Sequence, residues 1–113
     1  MKVFTVINWD QVRRLRDDVG HDEFEEIIDL FLEEVESIVD KLRHPINNNA
    51  LENDLHSLKG SAMNLGFESF SQLCFVGEKQ AAAGKTEDVD LMVIISSFDA
   101  SKEDFLSKIS SEF

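Results

Sequence analysis

Apolar residues recur every three or four positions along most of the chain, and short polar stretches with glycine or proline interrupt them. This spacing predicts amphipathic helices. The first predicted helix covers residues 9–19, with Asn8 as its N-cap and Gly20 as its stop. The strongest periodicity follows and predicts a helix over residues 22–43, which Pro45 must end because proline cannot continue a helix.

Three more helices are predicted after a polar turn at residues 46–49, over residues 49–64, 67–83 and 87–110. Gly66 and Gly84 end the third and fourth of these segments, since glycine adopts the left-handed conformation at little cost. Thr86 is the predicted cap of the last helix. The third helix has a regular apolar stripe of Leu51, Leu55, Leu58, Ala62 and Leu65.

The fold class predicted from these patterns is all-α. No stretch of alternating apolar and polar residues is long enough to build a sheet, and Val3–Ile7 would be a strand without a partner. Four long helices joined by short loops favour an up-and-down antiparallel four-helix bundle, with the first helix as a short N-terminal cap. A chain of 113 residues is the size of one domain, so residues 1–113 are predicted to form a single unit.

Charge narrows the choice of partners. The chain has 11 Lys and Arg against 23 Asp and Glu, a net charge of −12, which repels nucleic acid and anionic membrane surfaces. We therefore expect a protein partner, with no nucleic acid and no membrane. No apolar run approaches the roughly 20 residues of a membrane span, and the N-terminus lacks the features of a secretory signal, so a cytoplasmic location is expected. The single cysteine, Cys74, is expected to be a core residue.

Gly60 is the residue of the third helix that core packing does not explain. Glycine inside a helix costs roughly 1 kcal/mol relative to alanine. On a helical wheel the apolar stripe defines the core direction, and His56, Met63 and Gly60 lie at about 140°, 120° and 180° from it. Gly60 therefore faces away from the core. One turn after His56, the missing side chain leaves room for a docking surface beside the imidazole.

Lys59 lies three residues after His56, close enough for its ammonium group to reach an anion held on the ring. A neutral imidazole is a good nucleophile toward phosphorus, which makes a phosphoryl-carrier role reasonable. Phosphoryl transfer also requires in-line positioning, charge neutralisation and usually a metal. This chain provides only the nucleophile and one lysine, so a partner would have to provide the rest.

Residues 56–66, His-Ser-Leu-Lys-Gly-Ser-Ala-Met-Asn-Leu-Gly, resemble the signature H-x-L-K-G-S-x-x-x-L-G of the histidine-containing phosphotransfer (Hpt) family. Residues 73–78 resemble the L-C-x-x-L-E stretch on the family's next helix, with Gly77 where leucine is usual. This departure casts doubt on the local packing of the fourth helix. The resemblance covers nearly the whole chain, since the family is a four-helix bundle with an N-terminal capping helix.

The resemblance implies that Nε2 of His56 accepts a phosphoryl group from the aspartyl phosphate of a receiver domain and passes it to another receiver. It also implies that Lys59 stabilises the phosphate, that Gly60 makes room for the receiver, and that Glu78 lies close enough to orient the ring. Gly66 would end the third helix. Met63 shares the flank of His56 and is a candidate docking residue, as Phe75 is with less support.

The implied protein is a free-standing, monomeric carrier without kinase activity of its own, because the chain has no nucleotide-binding motif. Its partners would be receiver domains, with a hybrid histidine kinase as a further candidate. It would need no cofactor, and Mg²⁺ is expected in the partner receiver. No metal site is predicted in this chain.

Two alternatives use the same helices. A carboxylate-bridged di-iron protein requires Glu-x-x-His on two helices, and none of His21, His44 or His56 has a glutamate three residues earlier. A non-catalytic adaptor that binds a signalling protein stays open. An adaptor would tolerate His56→Gln, whereas a carrier would not.

Overall fold

A computed structural model describes residues 6–44 and 50–112, and this part of the chain is helical without a β-strand. The all-α prediction is therefore confirmed. The predicted turn at residues 46–49, with Asn49 as the start of the third helix, lies outside the described residues, as do Val3–Thr5. The helices are α1 (Trp9–Val19), α2 (His21–Arg43), α3 (Leu51–Asn64), α4 (Glu68–Ala82) and α5 (Leu91–Glu112), with a 3₁₀ turn at Thr86–Asp88.

The bounds of α1 follow from its two capping residues. The Asn8 side chain accepts a hydrogen bond from the Gln11 amide at 3.2 Å. At the other end Gly20 has φ of 87° and donates its amide to the Arg16 carbonyl at 2.8 Å. These bounds are those predicted from the sequence. α2 begins directly after Gly20, one residue earlier than predicted.

Gly66 joins α3 to α4 and also holds the N-terminal segment. Its φ is 77°, and its carbonyl accepts the Asn8 amide at 2.7 Å. Ile7 and Phe67 form an isolated antiparallel bridge. The expectation that the N-terminal stretch has no partner is therefore wrong at Ile7, which pairs with the α3–α4 connection. The two residues are 60 positions apart in the chain, and a local sequence pattern carries no information about such a contact.

We expect Gly66→Ala to destabilise the fold by about 2 kcal/mol, because both its backbone and its surroundings exclude a side chain. A Cβ built on Gly66 lies 2.6 Å from the Asn8 carbonyl oxygen, and φ is positive. Urea unfolding measures the change. Gly84→Ala is the matched control, since Gly84 also has positive φ but, apart from its chain neighbours, no residue that the structure describes lies within 4 Å of a Cβ built there. Equal losses in the two variants would contradict a role for the Asn8 contact.

The start of the last helix differs from the prediction. The predicted helix begins at residue 87, whereas α5 begins at Leu91 after the 3₁₀ turn. Val89 adopts an extended conformation and is buried, and the Asp90 side chain accepts a hydrogen bond from the Val93 amide at 3.1 Å. Asp90, not Thr86, therefore caps α5. Burial of Val89 outweighs the local preference to continue one helix.

Each of the four long helices, α2 to α5, packs against two of the other three. α3 packs most extensively on α4, α2 contacts α3 and α5, and α4 contacts α5, while α1 lies against α2 and α3. Between α2 and α5, Arg43 pairs with Asp99 at 2.6 Å and Lys102 pairs with Glu36. The interior is continuous and aromatic-rich, with Phe67 edge-on to Phe105 at 5.4 Å between ring centroids.

The acidic excess lies mainly on the solvent side of α2. Its exposed carboxylates are Asp22, Glu23, Glu25, Glu26, Asp29, Glu33, Glu34 and Asp40. Asp and Glu near a helix N-terminus are favourable, and the others are solvated. Among the helices of residues 6–44 and 50–112, none has the length and apolar character that a bilayer crossing requires.

Gly77 determines how closely α4 approaches its neighbours. A Cβ at this position would lie 3.1 Å from Leu55 Cδ1 and 3.3 Å from methyl groups of Ile94 and Val89. Side chains of α3 and α5 thus fill the space that a larger residue would occupy. The absence of leucine at this position leaves no gap in α4, and it allows close contact with α3.

Candidate functional site

His56 lies on the exposed flank of α3, as the helical periodicity predicts. Its side chain is 67% exposed. One turn later, no described residue outside the surrounding helix backbone lies within 4 Å of a Cβ built on Gly60, and two turns later Met63 is 57% exposed. The placement of these three residues on one open flank is confirmed. Their roles remain predictions.

Glu78 on α4 links the two functional candidates of α3. Its Oε1 lies 2.7 Å from His56 Nδ1, and its Oε2 accepts a hydrogen bond from Lys59 Nζ at 3.0 Å. Both side chains of this ion pair are mostly shielded, with Lys59 24% and Glu78 18% exposed. The structure therefore brings His56, Lys59 and Glu78 together as one cluster, which we call the histidine cluster.

The hydrogen bond from Lys59 is the main cause that holds the pKa of Glu78 below its usual range; the bond with His56 acts in the same direction, and burial opposes both. Glu78 is therefore ionised at neutral pH. A depressed carboxyl pKa contributes stability above the unfolded-state pKa, and that contribution is lost as the pH falls through the folded-state pKa. The histidine cluster should thus weaken only in acid.

The charge on Glu78 fixes the tautomer of the imidazole. An ionised carboxylate can only accept hydrogen bonds, so the proton of the His56–Glu78 contact must be on Nδ1. In the neutral ring the lone pair is then on Nε2, in a side chain that is largely exposed. Among the described residues, Nε2 of His56 is the nitrogen that this arrangement prepares as a nucleophile.

Phe75 and Lys79 of α4 extend the histidine cluster. The ammonium nitrogen of Lys59 lies 5.2 Å from the centroid of the Phe75 ring, and that of Lys79 lies 4.7 Å from it. Phe75 is a less well supported docking candidate in the sequence, and Lys79 is not predicted from it. The sequence did contain a signal for this contact, because Phe75 and Lys79 are four residues apart and such residues are neighbours on a helix.

Ser71 is a second residue that sequence analysis missed. It is buried, and its hydroxyl donates a hydrogen bond to the Lys59 carbonyl at 3.2 Å. This bond fixes α4 to α3 immediately before Gly60. A polar residue on the otherwise apolar face of α4, one turn before Cys74, was the available signal.

The remaining chemical groups do not join the histidine cluster. Burial, and to a lesser extent the charge of Glu78, raises the pKa of the Cys74 thiol to about 12, so it stays protonated in the core. His21 and His44 are exposed on α2 and just after it, and His44 Nδ1 lies 3.3 Å from the Asp40 carbonyl oxygen. Across the described ranges, no three or more His, Cys, Asp or Glu side chains are grouped to hold a metal ion.

Comparison with protein families gives one relevant match. The family model described as Hpt domain matches residues 26–103, more than half of the chain. The matched range includes all three residues of the histidine cluster. Comparisons with curated proteins and with solved structures find no match.

Proposed function

The chain belongs to the Hpt domain family, and we propose that it is a phosphorelay intermediate that carries a phosphoryl group on His56 between receiver domains. The observation that carries the proposal is the hydrogen bond from His56 Nδ1 to the ionised Glu78, made by a ring that is otherwise open to solvent. Family membership supports histidine phosphotransfer, and this geometry supports His56 as its site.

The proposed step begins with attack by the Nε2 lone pair on the phosphorus of a receiver's aspartyl phosphate. The N–P bond forms as the P–O bond to aspartate breaks, and the bonding electrons leave with the aspartate as a carboxylate. The ring then carries one positive charge, with its proton still on Nδ1 facing Glu78. The Glu78 carboxylate stabilises this imidazolium, and the reverse steps deliver the phosphoryl group to a second receiver.

The other predicted site residues have supporting roles in this proposal. Lys59 neutralises charge on the phosphoryl oxygens, while Gly60 and Met63 form the open flank on which the receiver docks. In-line geometry and metal-assisted charge neutralisation are needed at phosphorus. We assign both to the receiver, which would hold Mg²⁺ beside its aspartate.

The wider assignments are also part of the proposal. We propose a monomeric, cytoplasmic carrier that lacks kinase activity and accepts its phosphoryl group from receiver domains, including one on a hybrid histidine kinase. The net charge of −12 supports a protein partner over nucleic acid or an anionic membrane. We further propose the up-and-down antiparallel topology for α2–α5, which the ring of contacts α2–α3, α3–α4, α4–α5 and α5–α2 supports.

The test of this function is transfer of radiolabel from a phosphorylated receiver, with Mg²⁺ present, to the purified chain. The expected label is acid-labile and base-stable, as an N–P bond requires, and none should appear with ATP alone. The adaptor alternative predicts a complex with the receiver but no label on the chain. A screen of receivers from one genome that yields complexes and no transfer would favour that alternative.

We expect Glu78→Leu to slow transfer roughly tenfold, because it removes a charge-assisted hydrogen bond that orients the ring. Glu78→Gln should slow transfer less, since an amide oxygen can still accept from Nδ1 although it lacks the negative charge. Initial rates of label transfer measure both. Equal rates for Glu78→Leu and the unaltered chain would contradict the orienting role of Glu78.

A further inference from the structure

The Phe75 ring holds two cations at the edge of the histidine cluster. The ammonium nitrogens of Lys59 and Lys79 lie 5.2 Å and 4.7 Å from its centroid. Ammonium groups at this distance are attracted to the face of an aromatic ring. Because both nitrogens lie close to the same centroid, they are at most about 10 Å apart. This separation does not exceed the Debye length of about 10 Å at 0.1 M salt, so salt does not fully screen the repulsion between the two ammonium groups.

The two lysines differ in their partners. Lys59 is paired with Glu78. Glu78 is also the residue next to Lys79 in the chain, but its two carboxylate oxygens already bond His56 and Lys59. Within residues 6–44 and 50–112, no carboxylate lies within ion-pair distance of Lys79 Nζ, which instead lies over the Phe75 ring. Lys79 is thus a cation positioned without a counter-ion.

Phosphorylation would change the charge balance of the histidine cluster. The neutral imidazole, the Glu78 carboxylate and the Lys59 ammonium sum to no net charge. The phosphoryl oxygens carry a charge of roughly −1.5 to −2 at pH 7, and the ring gains one positive charge, so the net charge of the histidine cluster falls by about 0.5 to 1. Lys59 would be shared between Glu78 and the phosphoryl group, so a second cation would balance the charge that Lys59 alone leaves, in a chain whose overall charge is −12.

We propose that Lys79, positioned by Phe75, is a second cation that binds the phosphoryl group on His56. The inference rests on the proposed phosphorylation of His56. Phe75 acts through the two lysines and is therefore a positioning residue. The phosphoryl anion would also relieve the repulsion between the two ammonium groups. Anion binding would thus explain why both lysines lie against one ring, which packing alone does not explain.

The test uses the folded chain and needs no receiver. Phosphoramidate phosphorylates imidazole directly: its P–N bond breaks, ammonia leaves, and the phosphorus bonds to Nε2. In a background with His21→Gln and His44→Gln, His56 is the reactive imidazole, and ³¹P NMR follows the second ionisation of its phosphoryl group. A nearby cation favours the dianion and lowers the midpoint of this titration.

Lys79→Gln should raise the midpoint by about half a pH unit, the size of one charge lost several ångströms away in water. Phe75→Leu should raise the midpoint less, because Lys79 remains but is no longer positioned by the ring. Lys79→Arg keeps the positive charge and should leave the midpoint as in the unaltered chain. Lys85→Gln is the matched control: it removes the same charge from an exposed lysine after α4. It should move the midpoint by less than about 0.1 unit.

An unchanged midpoint in Lys79→Gln would overturn the inference, and so would an equal shift in Lys85→Gln, which would show only a general charge effect. Failure of the proposed function looks different. If receivers do not transfer to the chain but Lys79→Gln still shifts the midpoint, the second cation stands and the relay role fails. If receivers do transfer to the chain but Lys79→Gln leaves the midpoint unchanged, the relay role stands and the second cation fails.

Discussion

Replacing His56 with Gln should abolish phosphoryl transfer from a receiver, leaving less than about one-thousandth of the original rate. Glutamine can occupy the exposed position on α3 and bond Glu78, but its amide nitrogen has no available lone pair to attack phosphorus. Because the side chain is 67% exposed, the substitution should not disturb the core. Label transfer measures the loss, and circular dichroism and urea unfolding confirm that the fold is kept.

The other two histidines are the controls for this prediction. His21→Gln and His44→Gln should transfer at the original rate, because neither imidazole bonds a carboxylate among the described residues. Equal labelling of His56→Gln and the unaltered chain would remove the relay proposal. Label that disappears only when His44 is replaced would move the site to the end of α2.

The helices were predictable where the sequence carries its own stop signals. Asn8 and Gly20 define α1 at both ends, and Gly66 with φ of 77° separates α3 from α4. Caps and glycine turns act within one or two helical turns, so local sequence records them.

Features that depend on long-range packing were not predictable in the same way. The pairing of Ile7 with Phe67 joins distant parts of the chain. The late start of α5 depends on burial of Val89 against the space that Gly77 leaves on α4. In both cases tertiary contacts outweigh a local preference, which a periodicity argument on one segment cannot detect.

The site shows the same division. The flank of His56, Gly60 and Met63 follows from helical spacing on α3 alone, and the structure confirms their placement. The contacts of Glu78 require α4 to lie at a particular distance and rotation from α3. Only resemblance to the Hpt family indicated that Glu78 lies near the ring, and the bond from Ser71 to the α3 backbone had no such guide.

Gly60→Arg should slow transfer by roughly 100-fold while making the chain slightly more stable. In-line transfer needs the phosphorus close to Nε2, and a long side chain one turn away occupies the space that the receiver must enter. Stability should rise by up to about 0.8 kcal/mol, since arginine is the better helix former and, apart from the backbone of α3 itself, none of residues 6–44 and 50–112 lies within 4 Å of a Cβ at this position. A slower transfer rate together with a higher stability would show that the substitution obstructs docking and does not disturb folding.

Three control variants show whether the volume, the charge or the position of the new arginine side chain causes the slower transfer. Gly60→Ala should give the gain in stability with a nearly unchanged rate, because a methyl group is small. Gly60→Gln is long but uncharged, so it should slow transfer about as much as Gly60→Arg does if volume is the cause. Ala100→Arg adds the same side chain at an exposed position of α5, which contributes nothing to the histidine cluster, and should transfer normally. A normal rate for Gly60→Arg would mean that the receiver approaches His56 from another side, and the glycine would then have no explanation in docking or in packing.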